Sequence, residues 1–239
     1  MLQAMIAFLL FCPVVWAYPN SHPPFPSGAP SPYPIAAISP VIDYEKPAEF
    51  REGQLRVAVT QRSDWQFATE VWVGGAKVLD TAEAYGDIPL PVGSRVFYAD
   101  LTGDGRKDLL VYSSSAGNGL GAWIELADLL IAKADGTYKH VSFEAYAAGP
   151  EDFIDVNGDG RNEMLWVNYY FEGDHSYWVY RVVEIGDDGL HLNDQLIPGF
   201  PKIIWFTEKP NDQPTQRLTA AEREDLIRQS TARWQGSEQ

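Results

Sequence analysis

Two short stretches of this chain gather carboxylates at a density that a packed strand or helix face cannot bury. The first is Asp100-Leu101-Thr102-Gly103-Asp104-Gly105-Arg106-Lys107-Asp108, and the second is Asp155-Val156-Asn157-Gly158-Asp159-Gly160-Arg161-Asn162-Glu163. Laid over each other, they place oxygen-bearing side chains at positions 1, 3, 5 and 9 and glycine at position 6. Glycine reaches positive φ without steric cost, so each stretch can curl its oxygens inward. A hard cation such as calcium takes six to eight oxygens at about 2.3–2.6 Å. Asp100, Thr102, Asp104 and Asp108 offer side-chain donors in one loop, and Asp155, Asn157, Asp159 and Glu163 in the other. The backbone carbonyls of Arg106 and Arg161, at position 7, add one donor each. The bland alternative is a pair of metal-free Asp-Gly turns. It is the weaker reading, because three converging carboxylates without a cation repel one another and the same register occurs twice.

The loops differ from an EF-hand, which needs a bidentate Glu at position 12 and an exiting helix. Position 12 is Val111 in one loop and Trp166 in the other. Leu109-Leu110-Val111-Tyr112 and Met164-Leu165-Trp166-Val167 are short apolar runs of the kind that form strands. The carboxylate at position 9 is therefore expected to close each site as a strand begins.

From Phe97-Tyr98-Ala99-Asp100 to Val111, and from Phe153-Ile154-Asp155 to Val167, the chain resembles the core signature of VCBS/FG-GAP repeats. The resemblance covers about fifteen residues twice. Tyr112-Ser113 and Asn168-Tyr169 stand where the Gly-Ala-Pro part of the pattern would begin, and the Phe-Gly part is missing. The resemblance implies calcium-loaded blades like those of integrin α-chain propellers and bacterial surface proteins.

The repetition extends beyond the loops. Asp100 and Asp155 are 55 residues apart, as are Trp123 and Trp178, and Asp135-Gly136 and Asp188-Gly189 are 53 apart. Such a period suits propeller blades or similar sheet units. Each unit reads as loop, strand, a second strand around the Trp, an Asp-Gly turn and a third strand. Earlier, Gln54–Thr60 alternates as a strand, and Glu70–Val73 and Lys77–Leu79 flank a Gly74-Gly75 turn. Residues 45–97 thus read as a first copy that has lost its acidic loop. The expected fold is all-β, with about three propeller-blade-like units and a C-terminal helix. Three units fall short of the usual four to eight blades of a ring, so a partial ring, a sandwich-like body and a multi-chain ring all stay open.

The organisation expected is a signal peptide at 1–17, a proline-rich linker at 18–41, the calcium-binding β-repeat domain at 42–210, and a link with a helix at 211–239. Ile6 to Val15 is apolar but short for a membrane span, and Val15-Trp16-Ala17 offers small residues at −3 and −1 for cleavage. Pro19, Pro23, Pro24, Pro26, Pro30, Pro32, Pro34 and Pro40 favour an extended tether. Thr219 and Glu222 form a capping box for a helix to about Trp234, with a Glu224–Arg228 pair and Ala220, Ile227 and Trp234 as a seven-residue stripe.

Lys and Arg number 18 against 33 Asp and Glu, a net charge of −15. So acidic a chain is a poor partner for nucleic acid or an anionic membrane. Cys12 is the only cysteine and lies in the leader, so the mature chain carries no disulfide or reactive thiol. There is no nucleophile elbow, His-Glu-x-x-His or phosphate-binding glycine loop, and His22, His140, His175 and His191 show no metal-ligand spacing. Asp174-His175 reads as a solvated turn, and the rings of Tyr169, Tyr170, Phe171, Tyr177 and Trp178 read as core before they read as a sugar platform.

The function expected is an exported, non-enzymatic module, secreted, periplasmic or on the cell surface. Each loop acts separately to hold calcium, and the body binds a protein or glycan. The alternative is an extracellular hydrolase acting on a polymer, with calcium as a structural ion. The leader makes one direct prediction: protein recovered outside the cytoplasm begins at Tyr18. Intact-mass analysis checks it, and a membrane-embedded chain starting at Met1 contradicts it.

Overall fold

The structure, a computed structural model, describes residues 38–43, 46–63, 66–82, 93–114, 124–146, 149–172, 175–205 and 218–237. The leader, most of the proline-rich linker, Trp123, Asp174 and the link at 211–217 lie outside these residues. The described part is mostly β-sheet with one C-terminal helix, and none of its sheets closes on itself.

The strands fall into three antiparallel sheets that follow one another along the chain. The first is β2 (Ala48–Glu52), β3 (Leu55–Ser63), β4 (Gln66–Val73) and β5 (Ala76–Asp80), paired in that order. The second is β6 (Gly93–Ala99), β7 (Asp108–Ser114), β8 (Ile124–Ala132) and β9 (Tyr138–Tyr146), with β1 (Ile42–Asp43) added beside β6. The third is β10 (Phe153–Ile154), β11 (Glu163–Glu172), β12 (His175–Gly186) and β13 (Gly189–Leu192). A last strand, β14 (Lys202–Trp205), pairs with the half of β12 that β13 leaves open. Each sheet is thus built on a four-strand meander, to which the second adds β1 and the third β14. The connection between its first two strands is Gly53-Gln54 in the first sheet and an acidic loop in each of the others.

The apolar run of β7 explains how the sheets stack. Leu109 and Val111 point to one face, where they join Val57, Val59, Val71 and Leu79 of the first sheet. Leu110 and Tyr112 point to the other, where they join Phe153, Met164, Trp166 and Val183 of the third. All four β7 residues are essentially inaccessible to solvent. A strand covered on both sides needs no polar alternation, which is why this run is continuous.

The helix α1 (Ala220–Ser237) begins with the capping box that the sequence predicts. Thr219 Oγ1 accepts from the Glu222 amide at 3.3 Å, and Glu222 Oε2 accepts from the Thr219 amide at 2.7 Å. Its buried face is Leu226, Ser230 and Trp234, spaced by four rather than by seven, while Ala220 is exposed. Arg228 pairs with Asp225 rather than with Glu224. Trp234 meets Trp166 edge-on at 5.0 Å and lies 6.5 Å from Phe143, so the helix packs on the sheet body. Arg181 reinforces this by donating to Thr231 Oγ1 at 3.2 Å. Trp234→Ala is expected to cost about 3–5 kcal/mol, the range for large aromatic truncations in a core. Ala220→Ser should stay within about 0.5 kcal/mol. Urea unfolding of both variants checks the difference.

Candidate metal centre

The two acidic loops are built on one hydrogen-bond plan. At position 1, Asp100 accepts from the amides of Asp104 (3.0 Å) and Gly105 (2.8 Å), and Asp155 accepts from those of Gly158 (2.6 Å) and Gly160 (2.9 Å). At position 5, Asp104 and Asp159 each accept from the amide two residues on, Arg106 or Arg161, at 2.8 Å. At position 7, Arg106 donates to the carbonyl of Ala132 at 2.9 Å and Arg161 to that of Ile185 at 3.3 Å. Gly105 (φ +87°) and Gly160 (φ +89°) at position 6 supply the left-handed residue that lets the chain turn back on the first carboxylate.

Position 9 is where the loops enter the core. Asp108 is fully buried; one oxygen accepts from Leu101 and Thr102 at 3.0 and 2.9 Å, the other from Ala132 at 2.8 Å. Glu163, buried as well, accepts from Val156 at 2.9 Å. Burial is the main force that raises Asp108 to about 6, with repulsion from Asp104 adding to it. Burial also raises Glu163 to about 7, helped by Asp159 and Asp155.

Position 3 differs between the two. Asn157 accepts from the Asp159 amide at 2.8 Å, and its Nδ2 donates to Asp159 (3.0 Å) and to Glu163 (3.3 Å). It therefore draws the donors at positions 3, 5 and 9 together. In the first loop Thr102 is buried beside Asp108, and its hydroxyl makes no hydrogen bond of acceptable geometry. Asp104 Oδ2 instead meets the Arg106 guanidinium. Among the described residues no three His, Cys, Asp or Glu side chains stand grouped as a metal site, each loop carboxylate being turned onto backbone amides of its own unit. The residues nevertheless fit a hard cation. Every side-chain donor is an oxygen, a buried hydroxyl stands beside Asp108 at position 3, and burial raises both position-9 carboxylates.

The loops also touch, which their sequences do not announce. A Cβ on Gly103 (φ +73°) would lie 2.6 Å from the Gly160 carbonyl oxygen and 3.0 Å from Arg161 Cα. Only glycine fits there. Asn162 then bridges the gap: its amide donates to the Thr102 carbonyl at 2.9 Å and its Nδ2 to the Leu101 carbonyl at 2.7 Å. Lys107, its counterpart at position 8, reaches Glu52 at the edge of the first sheet at 3.1 Å.

Away from the loops, Asp128 Oδ1 meets both His140 Nε2 and Ser142 Oγ at 2.7 Å, and these two lie 3.1 Å apart. The composition matches a Ser-His-Asp relay, but the geometry does not. A relay places Ser and Asp on opposite ring nitrogens, and here both use Nε2. Comparison with known proteins found no match to a family model, to a curated protein or to a solved structure.

The raised carboxylates set a pH dependence with a definite sign. With folded values above the usual carboxylate range, the fold binds protons that the unfolded chain has released. Stability of the chelator-treated protein should therefore fall as pH rises from about 4 to about 7. Glu163→Gln should flatten the upper part of that fall. Melting temperatures measured in chelator across this range check both.

Proposed function

We propose that this chain is an exported calcium-binding β-repeat module, non-enzymatic, that binds a protein or glycan at the cell surface or outside the cell. One observation carries the calcium reading: two loops that share their carboxylate-to-amide turns at positions 1 and 5 present only oxygen donors, with the buried Thr102 hydroxyl beside Asp108 among them. Export rests on the leader pattern at Ile6–Ala17. Among the described residues no helix is long and apolar enough to cross a membrane.

The donors in each loop would be the side chains at positions 1, 3, 5 and 9 and the position-7 carbonyl, that is Asp100, Thr102, Asp104, Arg106 and Asp108, and Asp155, Asn157, Asp159, Arg161 and Glu163. A bound calcium would supply the positive charge that these carboxylates lack and cross-link the first two strands of a sheet. Arg106 and Arg161 hold each loop against the end of β8 or β12 in the meantime. Among the described rings of this cluster, Tyr170, Tyr177 and Trp178 are buried, Tyr169 is half-buried, and only Phe171 stands out, at 62% exposed. Sugar stacking on that group of rings is therefore disfavoured, which leans the reading toward a protein partner.

Extracellular calcium modules bind with Kd of roughly 10⁻⁴–10⁻³ M. At about ten times Kd, linkage gives on the order of 1.4 kcal/mol per site, or roughly 3–6 °C in melting temperature for a body of this size. Asp104→Ala and Asp159→Ala should each lose part of the gain, and magnesium should substitute poorly because it demands tight octahedral geometry. Calorimetric melts with calcium and then chelator decide the matter. A wild-type curve that chelator leaves in place removes the calcium reading.

A further inference from the structure

The contact between the loops has a consequence for how they fill. We infer that the two loops bind calcium cooperatively, with Asn162 as the coupling element; this inference rests on the calcium reading above. Asn162 sits between Arg161 and Glu163, the donors at positions 7 and 9 of the second loop. Its amide and side chain hold the carbonyls of Thr102 and Leu101, which lie between or beside the donors Asp100 and Thr102 of the first. One residue is thus fixed inside both donor sets. Gly103 removes any slack, since its backbone lies too close to Gly160 and Arg161 to admit even a methyl group.

Ordering the backbone at 161–163 around a cation therefore orders 101–102 as well, and the reverse. The ion that arrives second meets a loop whose conformational freedom is already reduced, and so binds more tightly. Reciprocity requires the same factor in both directions. Repulsion between two cations opposes the effect and is screened at physiological salt. Direct contact through two hydrogen bonds puts the expected factor at roughly tenfold, inside the usual range for coupled sites. Loops that act separately, as their sequences suggest, would show none.

The test is calcium titration calorimetry on the full mature chain at 0.15 M salt, for wild type, Asp159→Ala, Asn162→Ala and the double variant. Asp159→Ala empties the second loop, and it should weaken calcium at the first about tenfold. Asn162→Ala keeps the amide bond to the Thr102 carbonyl and loses only the side-chain bond to Leu101, so in that background the same change should weaken the first loop by clearly less than tenfold. Hydrogen exchange gives a second readout that does not need Asn162→Ala to fold. In Asp159→Ala, adding calcium should slow exchange of the Asn162 amide, although that residue lies in the emptied loop. Unchanged first-loop affinity in Asp159→Ala, or an Asn162 amide indifferent to calcium, overturns the coupling and leaves the calcium reading standing. Wild-type protein that takes up no calcium removes both.

Discussion

The buried carboxylate of Asp108 holds the middle of this molecule together. Its two oxygens accept three backbone amides, from Leu101 and Thr102 at the start of the acidic loop and from Ala132 at the end of β8. Loop, second strand and third strand of the sheet are pinned to one side chain. Hydrogen bonds to an ionised acceptor are the strong ones, and a buried carboxylate that loses them is left with its full desolvation cost. The middle sheet is also the one that both other sheets pack against. Whatever fixes Asp108 therefore braces the sheet at the centre of the stack.

That arrangement carries a tension. The same burial that makes the three amide bonds effective also raises the carboxyl toward neutrality, and Glu163 in the third sheet is raised in the same way. A neutral acid would give up part of its value as an acceptor. Positive charge near the loop resolves the conflict by favouring the ionised form. The first loop draws partly on Arg106, which meets Asp104 directly, whereas Arg161 is directed to the Ile185 carbonyl. On the calcium reading, the ion supplies the remainder. The acidic loops are then a folding element as well as a binding element.

The polar groups elsewhere are spent on joining layers or bracing one of them. Arg181, almost fully buried, pairs with Asp194 at 2.7 Å and also reaches Thr231 on α1. Within the second sheet, Arg95 on β6 pairs with both carboxylate oxygens of Glu125 on β8, at 2.5 and 2.6 Å, and braces the sheet rather than joining it to another. Trp166 donates to the Glu144 carbonyl at 2.7 Å while its ring lies under Trp234. With no cysteine after Cys12, the Trp166 and Arg181 bonds and the aromatic contacts add to the apolar packing that ties sheet to sheet and sheet to helix.

By itself the sequence determined the all-β character, the turns of the two acidic loops and the start of the helix. All of these are local. A glycine at position 6, an Asp reaching the amide four or five residues on, an unbroken apolar run and a Thr–Glu capping box act within a few residues of themselves. Tertiary structure decided what depends on residues far apart in the chain. Asn162 finds Leu101 across 61 positions, and Asp108 finds Ala132 across 24, so neither partner is written in the loop that holds it. The helix face was decided the same way. Ser230 is polar and drops out of an apolar stripe, yet it is buried between Leu226 and Trp234, beside the Tyr170 hydroxyl. Whether a side chain is a donor, a spacer or a bridge is set by which surface it meets, and here three sheets had to stack before those surfaces existed.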